Sequence, residues 1–367
     1  MKTLRRLLYR EIVGSVVFVA TAFLSLFVFI DLVEELGRMA QKGRTLGQVL
    51  ELVALQLPGH IVELLPIAVL IGTIYVLSRM AQTSEFTILR TGGLGPGRML
   101  QLLAGLGLLF AVITFVMGDF VAPRAEREAA LIDARAGPGL SLGRTGAWLK
   151  ERQTRPQGEY SISVNVAAAG AGGRLQGVRI FEFDADARLA RRLQAASALV
   201  SDEGVWALQD VTVSEWPGER EGAVRTEQRA RLDWASGLSG AVVAAAVLPP
   251  RTMSTMDLWR YSRHLSSQEQ AAQQYQIQFW KRALYPFACL VMVALALPFA
   301  YLQARSGGIS LKVFGGIMLG ISFVLVNNVF GHIGLLREWT PWVAAIAPSL
   351  LYLGLSLAAF TWLVRYR

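Results

Sequence analysis

The feature that most constrains this chain is a series of long apolar windows without charged residues. Five windows reach the roughly 20 residues that an α-helix needs to cross a hydrocarbon core of about 30 Å. They are Ile12 to Ile30, Met99 to Gly118, Ala283 to Ala304, Val313 to Leu336 and Trp339 to Val364. Hydrophobic residues make up 53% of the chain and charged residues 17%, which is more apolar than a typical soluble domain. The sequence therefore predicts a polytopic α-helical membrane protein.

A sixth window, Leu57 to Ser78, is less uniform because His60 and Glu63 lie at one end of it. We count it as a span because without it the next basic loop would lie on the wrong side of the membrane. The prediction is then six transmembrane helices, three before and three after a long polar insertion.

The distribution of Lys and Arg predicts the orientation, because basic residues in short loops resist translocation. With the N-terminus in the cytoplasm, eleven basic residues lie in inside segments and four lie in short outside segments. The eleven are Lys2, Arg5, Arg6, Arg10, Arg79, Arg90, Arg98, Arg305, Lys312, Arg365 and Arg367, and the four are Arg38, Lys42, Arg44 and Arg337. Both termini are thus predicted to be cytoplasmic, and the net charge of +9 needs no nucleic-acid partner to explain it.

The insertion between the third and fourth spans changes to short alternating runs with Gly-rich breaks, a pattern typical of β-strands. Ile162, Val164 and Val166 alternate with polar residues, and so do Val211 and Val213. The length suits one small sandwich or jelly roll, placed on the exported side. Predicted boundaries are residues 1–121 for the first three spans, 122–252 for the β-domain, 253–278 for a helical connector and 279–367 for the last three spans. The connector begins with Ser254 to Asp257, which resembles a helix capping box.

No catalytic or metal site is predicted. The β-domain contains no His and no Cys, and the only cysteine, Cys289, lies in the fourth span. The Gly-rich segment before Arg98 lacks the Gly-Lys-Ser/Thr that binds phosphate in a P-loop, so we expect no ATP hydrolysis by that route and no cofactor. An enzyme would have to use Asp31, Glu63 and His332, the candidate titratable groups near the spans.

Four cations are predicted at the outer membrane interface: Arg38, Arg124, Lys281 and Arg282. Each could be an ordinary anchor that pairs with lipid phosphate, but their origin in three different spans could also make a site. Within the spans, Gly316 and Gly320 share one helix face and predict a close helix approach, and prolines such as Pro286 predict kinks.

The cytoplasmic segment between the second and third spans is short and mixed in charge. Its residues Ser84 to Arg90 could form an amphipathic helix, ended by Gly92 and Gly93, that docks on a partner. An ordinary solvated loop is the alternative that the pattern alone leaves open.

Five strings spread over most of the chain carry a family resemblance. They are Phe29 to Leu36, Gln56 to Pro58 with Glu63 to Pro66, Ser84 to Arg90, Val121 to Glu126, and Arg282 with Pro286 and Leu297 to Phe299. In order and spacing they resemble the LptF/LptG permeases of the lipopolysaccharide exporter. The acidic string after the first span and Pro341-Trp342 at the start of the last are more similar to LptG than to LptF.

The resemblance implies an ABC-type permease subunit that extracts lipopolysaccharide from the outer leaflet of the bacterial inner membrane and passes it to a periplasmic β-jelly-roll bridge. It implies an LptF-like permease, an LptB-like ATPase dimer, an LptC-like membrane protein and an LptA-like bridge as partners, and an energy source outside this chain. Glu85 and Arg90 fall in the ATPase-coupling segment, and Arg38, Arg124, Lys281 and Arg282 match the region that meets the phosphates of the lipid. Some members carry a Lys where this chain has Asp31. The alternative is a membrane mechanotransmission or assembly protein that transports nothing itself.

Overall fold

A computed structural model describes residues 2–83, 95–135, 140–141, 147–155, 158–169, 174–201, 204–216, 224–238, 243, 252–267, 272–301 and 308–365. The chain divides into two compact units. The first comprises Met1–Gly37, Val53–Ala125 and Gln276–Arg367, and the second comprises Arg38–Leu52 and Glu126–Tyr275.

Nine α-helices and seven strands account for the regular structure of the described residues. The helices are α1 (Lys2–Lys42), α2 (Leu46–Gln82), α3 (Pro96–Val116), α4 (Ala122–Arg135), α5 (Thr255–Ser267), α6 (Gln273–Leu284), α7 (Phe287–Tyr301), α8 (Ile309–Leu336) and α9 (Pro341–Arg365). A π-helical turn, Met117–Val121, joins α3 to α4.

Five of these helical stretches are long and apolar enough to cross a membrane, which confirms the prediction of a polytopic helical protein. They are Arg5–Met39, Leu46–Gln82, Gly97–Ala130, Ile309–Leu336 and Pro341–Trp362. Helices form at these windows because the bilayer offers the backbone no other hydrogen-bond partners. A sixth span requires α6 and α7 to count as one, so the number of spans is five or six, and the division into three and three stays a prediction.

The predicted fourth span is a bent pair of helices and not one straight helix. The axes of α6 and α7 differ by 54°, and the break falls at Tyr285 and Pro286. Pro286 has no N–H for a helical hydrogen bond, so the helix is interrupted here. The predicted kink at this proline is therefore confirmed. The backbone N–H of Ala288 instead bonds to the carbonyl of Tyr285 at 2.9 Å.

The first unit has α2 at its centre. Of the apolar window in α2, 72% is buried, against 6% in α1, 22% in α8 and 28% in α9. A helix that is apolar on all sides is expected to be surrounded by protein. The second predicted span is thus the most buried of these helices.

Glycines bring neighbouring helices close to α2. A Cβ at Gly316 or Gly320 of α8 would lie 2.7 Å from Ile74 and 2.9 Å from Ile67 of α2, respectively. The predicted close approach along this glycine face is therefore confirmed. Gly72 of α2 does the same for α1, because a Cβ there would lie 2.8 Å from a Val16 backbone atom.

The predicted β-domain begins with a helix. The insertion was read as β-rich from residue 122, but α4 continues to Arg135. The reason is local composition: the first residues are dominated by Ala, Glu and Arg, which favour helix, and the alternating pattern starts only later.

One antiparallel sheet of seven strands follows α4. The strands are β1 (Leu140–Ser141), β2 (Ala147–Arg155), β3 (Gly158–Ala169), β4 (Leu175–Phe183), β5 (Leu189–Val200), β6 (Val205–Glu215) and β7 (Arg225–Ala235). From β2 to β7 each strand pairs with the next, and the two-residue β1 extends the β2 edge of β3. The predicted alternation holds, since Ile162, Val164, Val166, Val211 and Val213 are all buried. The described pairing is that of a meander and does not establish the predicted jelly roll.

The sheet folds over so that its two ends meet around one core. Glu151 of β2 accepts hydrogen bonds from the backbone N–H of Gly237 at 2.6 Å and from the hydroxyl of Ser236 at 2.5 Å, just after β7. Trp234 of β7 donates to Glu182 of β4 at 2.9 Å. Both buried carboxylates therefore have hydrogen-bond donors, as buried polar groups must. The bonds of Glu151 join β2 to the segment after β7, and the bond of Glu182 joins β4 to β7.

Helix α5 begins with the predicted capping box. The N–H of Ser254 donates to Asp257 Oδ2 and the N–H of Asp257 donates to Ser254 Oγ, each at 3.2 Å. Arg127 of α4 forms an ion pair with Asp257 and donates to the carbonyl of Thr252 at 3.3 Å. Burial alone would raise the pKa of the Asp257 carboxyl, but the hydrogen bonds from Ser254 and the charge of Arg127 outweigh burial and hold the pKa below its ordinary value.

Candidate functional site

The π-helical turn between α3 and α4 leaves one backbone carbonyl without a helical donor. In an α-helix the carbonyl of Gly118 would accept from the N–H of Ala122, but that N–H donates to Met117 instead. The next possible donor, in π-helical geometry, is residue 123, which is a proline and has no N–H. The Gly118 carbonyl must therefore find a partner outside its own helix.

Arg282 of α6 is that partner. Its Nη2 donates to the Gly118 carbonyl at 2.7 Å and its Nε approaches the same oxygen at 3.3 Å. Arg124 donates to the carbonyl of Phe120, in the same turn, at 2.8 Å. The structure thus brings two of the four predicted cations to one π-turn. Both use part of their hydrogen-bonding capacity on protein carbonyls, and Arg124 remains exposed.

Lys281 precedes Arg282 in the chain but lies against a different helix. Its side chain crosses α8 at Gly331, where a Cβ would be 2.3 Å from Lys281 Nζ and 2.7 Å from Cε. Gly331 is the residue that makes room for the lysine, because any other side chain would occupy the path of the ammonium group. Lys281 and Arg282 therefore link α6 to two different neighbours within the first unit.

The other predicted site residues belong to the second unit or lie outside the described residues. Arg38 is exposed near the end of α1 and belongs to the second unit, so its convergence with the other cations stays a prediction. Glu85 and Arg90, predicted to couple to an ATPase, lie outside the described residues.

The three candidate titratable residues make separate contacts, and at Glu63 the contact involves the backbone carbonyl. Asp31 of α1 lies 2.7 Å from His60 Nε2 of α2, and both side chains are largely buried, with 13% and 20% exposed. The carbonyl of Glu63 accepts the Tyr285 hydroxyl at 2.9 Å, and His332 Nδ1 lies 2.9 Å from the carbonyl of Asn328 in its own helix. The Asp31–His60 pair reduces the cost of placing two ionisable groups in membrane-spanning helices. This arrangement does not resemble a catalytic triad.

Sequence reasoning missed two features of this region. The π-turn and the acceptor of Arg282 were not predicted, although Pro123 within an otherwise helical stretch was a usable signal, since its ring clashes with the carbonyl four residues earlier in an α-helix. The Asp31–His60 pair was also missed. Both residues had been noted separately, but a pairing between different helices has no local sequence signature.

The sequence is similar to one family of known proteins over most of its length. The sequence profile described as "Lipopolysaccharide export system permease LptF/LptG" matches residues 6–363. The lipopolysaccharide export system permease protein LptG of Escherichia coli K12 is 26% identical over 306 residues, covering 83% of this chain and 82% of that protein. The LptG protein of Haemophilus influenzae Rd is 24% identical over 356 residues, covering 96% of each chain.

Proposed function

Because the chain belongs to the LptF/LptG family of lipopolysaccharide export permeases, we propose that it is the LptG-type permease subunit of an ABC-type lipopolysaccharide exporter in the bacterial inner membrane. The family match over residues 6–363 carries this proposal. In the proposed role the chain takes lipopolysaccharide from the outer leaflet of the inner membrane and passes it to a periplasmic bridge. It performs no chemistry on the lipid.

Two physical requirements of this cargo agree with the residues present. Lipopolysaccharide carries anionic phosphates above several acyl chains, so a permease needs cations near the membrane surface and apolar surface below them. Arg124, Lys281 and Arg282 supply cations beside membrane-spanning helices of the first unit, and Arg38 adds a fourth at the end of α1. The exposed apolar side chains of α1 and α8 supply the second requirement.

The energy for extraction is proposed to come from a partner. An LptB-like ATPase dimer would bind the segment with Glu85 and Arg90, and an LptF-like permease would complete the membrane unit. An LptC-like protein and an LptA-like bridge would receive the lipid, with the sheet domain periplasmic, both termini cytoplasmic and three spans on each side of that domain. A jelly-roll arrangement of the domain and its boundaries at 122–252 belong to the same proposal.

Co-purification tests the proposal directly. A tagged full-length chain is extracted gently from its own host, and mass spectrometry identifies the proteins and lipids that remain bound. We expect an LptB-like ATPase, a second permease and lipopolysaccharide. Recovery of protein partners without lipopolysaccharide, from every gentle extraction, would favour the assembly-protein alternative.

Charge variants then test the site. Lys281→Gln should reduce the retained lipopolysaccharide while the partner proteins stay bound, because it removes the charge of the side chain beside Gly331 and keeps most of its length. Arg5→Gln, which removes the same charge near the N-terminus of α1, is the matched control and should retain the lipid. Glu85→Ala should instead weaken the ATPase association or separate hydrolysis from transport. Equal lipid retention in Lys281→Gln and Arg5→Gln would remove Lys281 from the site.

A further inference from the structure

Helix α5 presents an exposed face that combines cations with amphipathic and apolar side chains. Met256, Trp259, Arg260 and Arg263 follow one another at the 3, 4 and 7 residue spacing of one helix face, and all four are exposed. The opposite face, which includes Leu258, Tyr261, Ser262 and Leu265, is buried.

The exposed face is held together by its own contacts. The guanidinium carbon of Arg263 lies 5.5 Å from the centre of the Trp259 ring, a cation–π distance. Met256 is 53% exposed and Trp259 is 43% exposed. Two large apolar side chains therefore lie one helical turn apart on the exposed face.

Two contacts within the second unit connect α5 to helices that continue into candidate membrane spans. Arg127, paired with Asp257 of α5, lies in α4, the polar continuation of the helical stretch that contains the third predicted span. Tyr261 packs edge-to-face on Tyr275, in the first turn of α6, with ring centres 4.7 Å apart. The chain from Ser267 to Gln273 can span at most about 20 Å. Helix α5 is therefore joined, by an ion pair and by a short chain segment, to two helices that continue into candidate spans.

From this position and chemistry we propose that the Met256–Arg263 face of α5 binds the headgroup layer of the bilayer, with the two arginines on the phosphates of anionic phospholipid. Trp259 and Met256 would reach the boundary with the acyl chains, where tryptophan is the favoured anchor. The inference does not depend on lipopolysaccharide transport.

A protein partner fits this face less well. A helix of 13 residues is about 20 Å long, and one exposed stripe of it offers much less than the roughly 800 Å² per partner that stable protein interfaces bury. Two arginines without an acidic residue among the four side chains of the face match the phosphates of a lipid surface.

A single-site reporter tests the proposal in the full-length chain. Met256→Cys labelled with bimane reports on the face. The native Cys289 is fully buried, so the label reacts with the introduced cysteine. The chain is placed in nanodiscs of phosphatidylcholine with increasing phosphatidylglycerol. We expect the bimane emission to shift to the blue, its quenching by iodide to fall, and its quenching by a headgroup nitroxide lipid to rise.

The arginines are tested by Arg260→Gln with Arg263→Gln in the reporter chain. Each basic residue near an anionic surface contributes a factor of about five to the binding constant, so the double variant should bind the surface about 25-fold more weakly and show almost no response to phosphatidylglycerol. Arg174→Gln with Arg179→Gln, which removes two exposed charges from the sheet, is the matched control and should respond like the parent. Added salt should weaken the parent's response without any substitution.

Several outcomes would overturn the proposal. One is a reporter that iodide quenches equally at every phosphatidylglycerol content, and another is a double variant that responds like the parent. Protection from both iodide and the nitroxide lipid would mean that a protein covers the face. A response that requires lipopolysaccharide and ignores phosphatidylglycerol would assign the face to the cargo and not to the bilayer.

Discussion

The hydrogen bond from Arg282 to the π-turn leads to a double-mutant prediction. The Gly118 carbonyl depends on Arg282 because Ala122 donates to Met117 and Pro123 has no N–H. Pro123→Ala restores a backbone donor at that position, so it should make the arginine dispensable for the turn.

The expected energies follow from this geometry. A hydrogen bond from a charged donor contributes about 1.5–3 kcal/mol, and an unpaired carbonyl in a membrane-spanning helix is costly, so Arg282→Ala should lower the free energy of unfolding by about 2–3 kcal/mol. In the Pro123→Ala background the same substitution should cost about 1 kcal/mol or less. The coupling between the two positions is then about 1–2 kcal/mol.

The assay is unfolding of the full-length chain in mild detergent by a graded addition of denaturing detergent, measured for the parent, both single variants and the double variant. Lys281→Ala in the same two backgrounds is the control, since Lys281 lies against Gly331 and not against the π-turn. Equal costs of Arg282→Ala with proline and with alanine at position 123 would refute the reasoning, as would an equal coupling for Lys281→Ala.

Three further predictions concern other parts of the chain. Gly331→Ala should displace the Lys281 ammonium, which lies 2.3 Å from the new Cβ, and reduce lipopolysaccharide retention about two- to fivefold with little change in thermal stability. Asp257→Asn should cost about 1 kcal/mol at neutral pH through the loss of the capping box and the Arg127 pair, as measured by amide exchange of α5. Glu151→Ala should destabilise the sheet domain by about 3 kcal/mol, seen as faster proteolysis near β7, because two donors lose a buried carboxylate.

Each of these predictions has a control. The control for Gly331→Ala is Gly354→Ala in α9. Its new Cβ would have no neighbouring atom within 4 Å, so this variant should retain lipopolysaccharide. Because the folded-state pKa of Asp257 is lowered from 3.8, its contribution is complete above that pH and is lost as the pH falls through the lowered value. Parent and Asp257→Asn should therefore converge in acid, and a difference that persists there would contradict the assignment. Glu151→Gln, which keeps one acceptor oxygen, should be milder than Glu151→Ala.

Features with a local cause could be predicted from the sequence. The apolar windows predicted membrane-spanning helices because an unpaired backbone is too costly in lipid. Alternation predicted β3 and β6, and the spacing of Ser254 and Asp257 predicted the start of α5. The kink at Pro286 followed from its missing N–H.

The sequence by itself therefore determined the apolar helices, strands β3 and β6, the start of α5 and the family that the chain resembles, since these depend on residues close together in the chain. Helix α4 and the π-turn before it are the exceptions. The tertiary structure alone decided the partners of the polar groups. The second span seemed the least uniform because of His60 and Glu63, yet α2 is the most buried, and contacts with Asp31 and Tyr285 involve those two positions. The Gly118 acceptor of Arg282 and the glycine beside Lys281 likewise come from helices far apart in the sequence. Hydropathy measures how favourably a segment enters lipid. Packing between helices decides which of its side chains contact protein and which contact lipid.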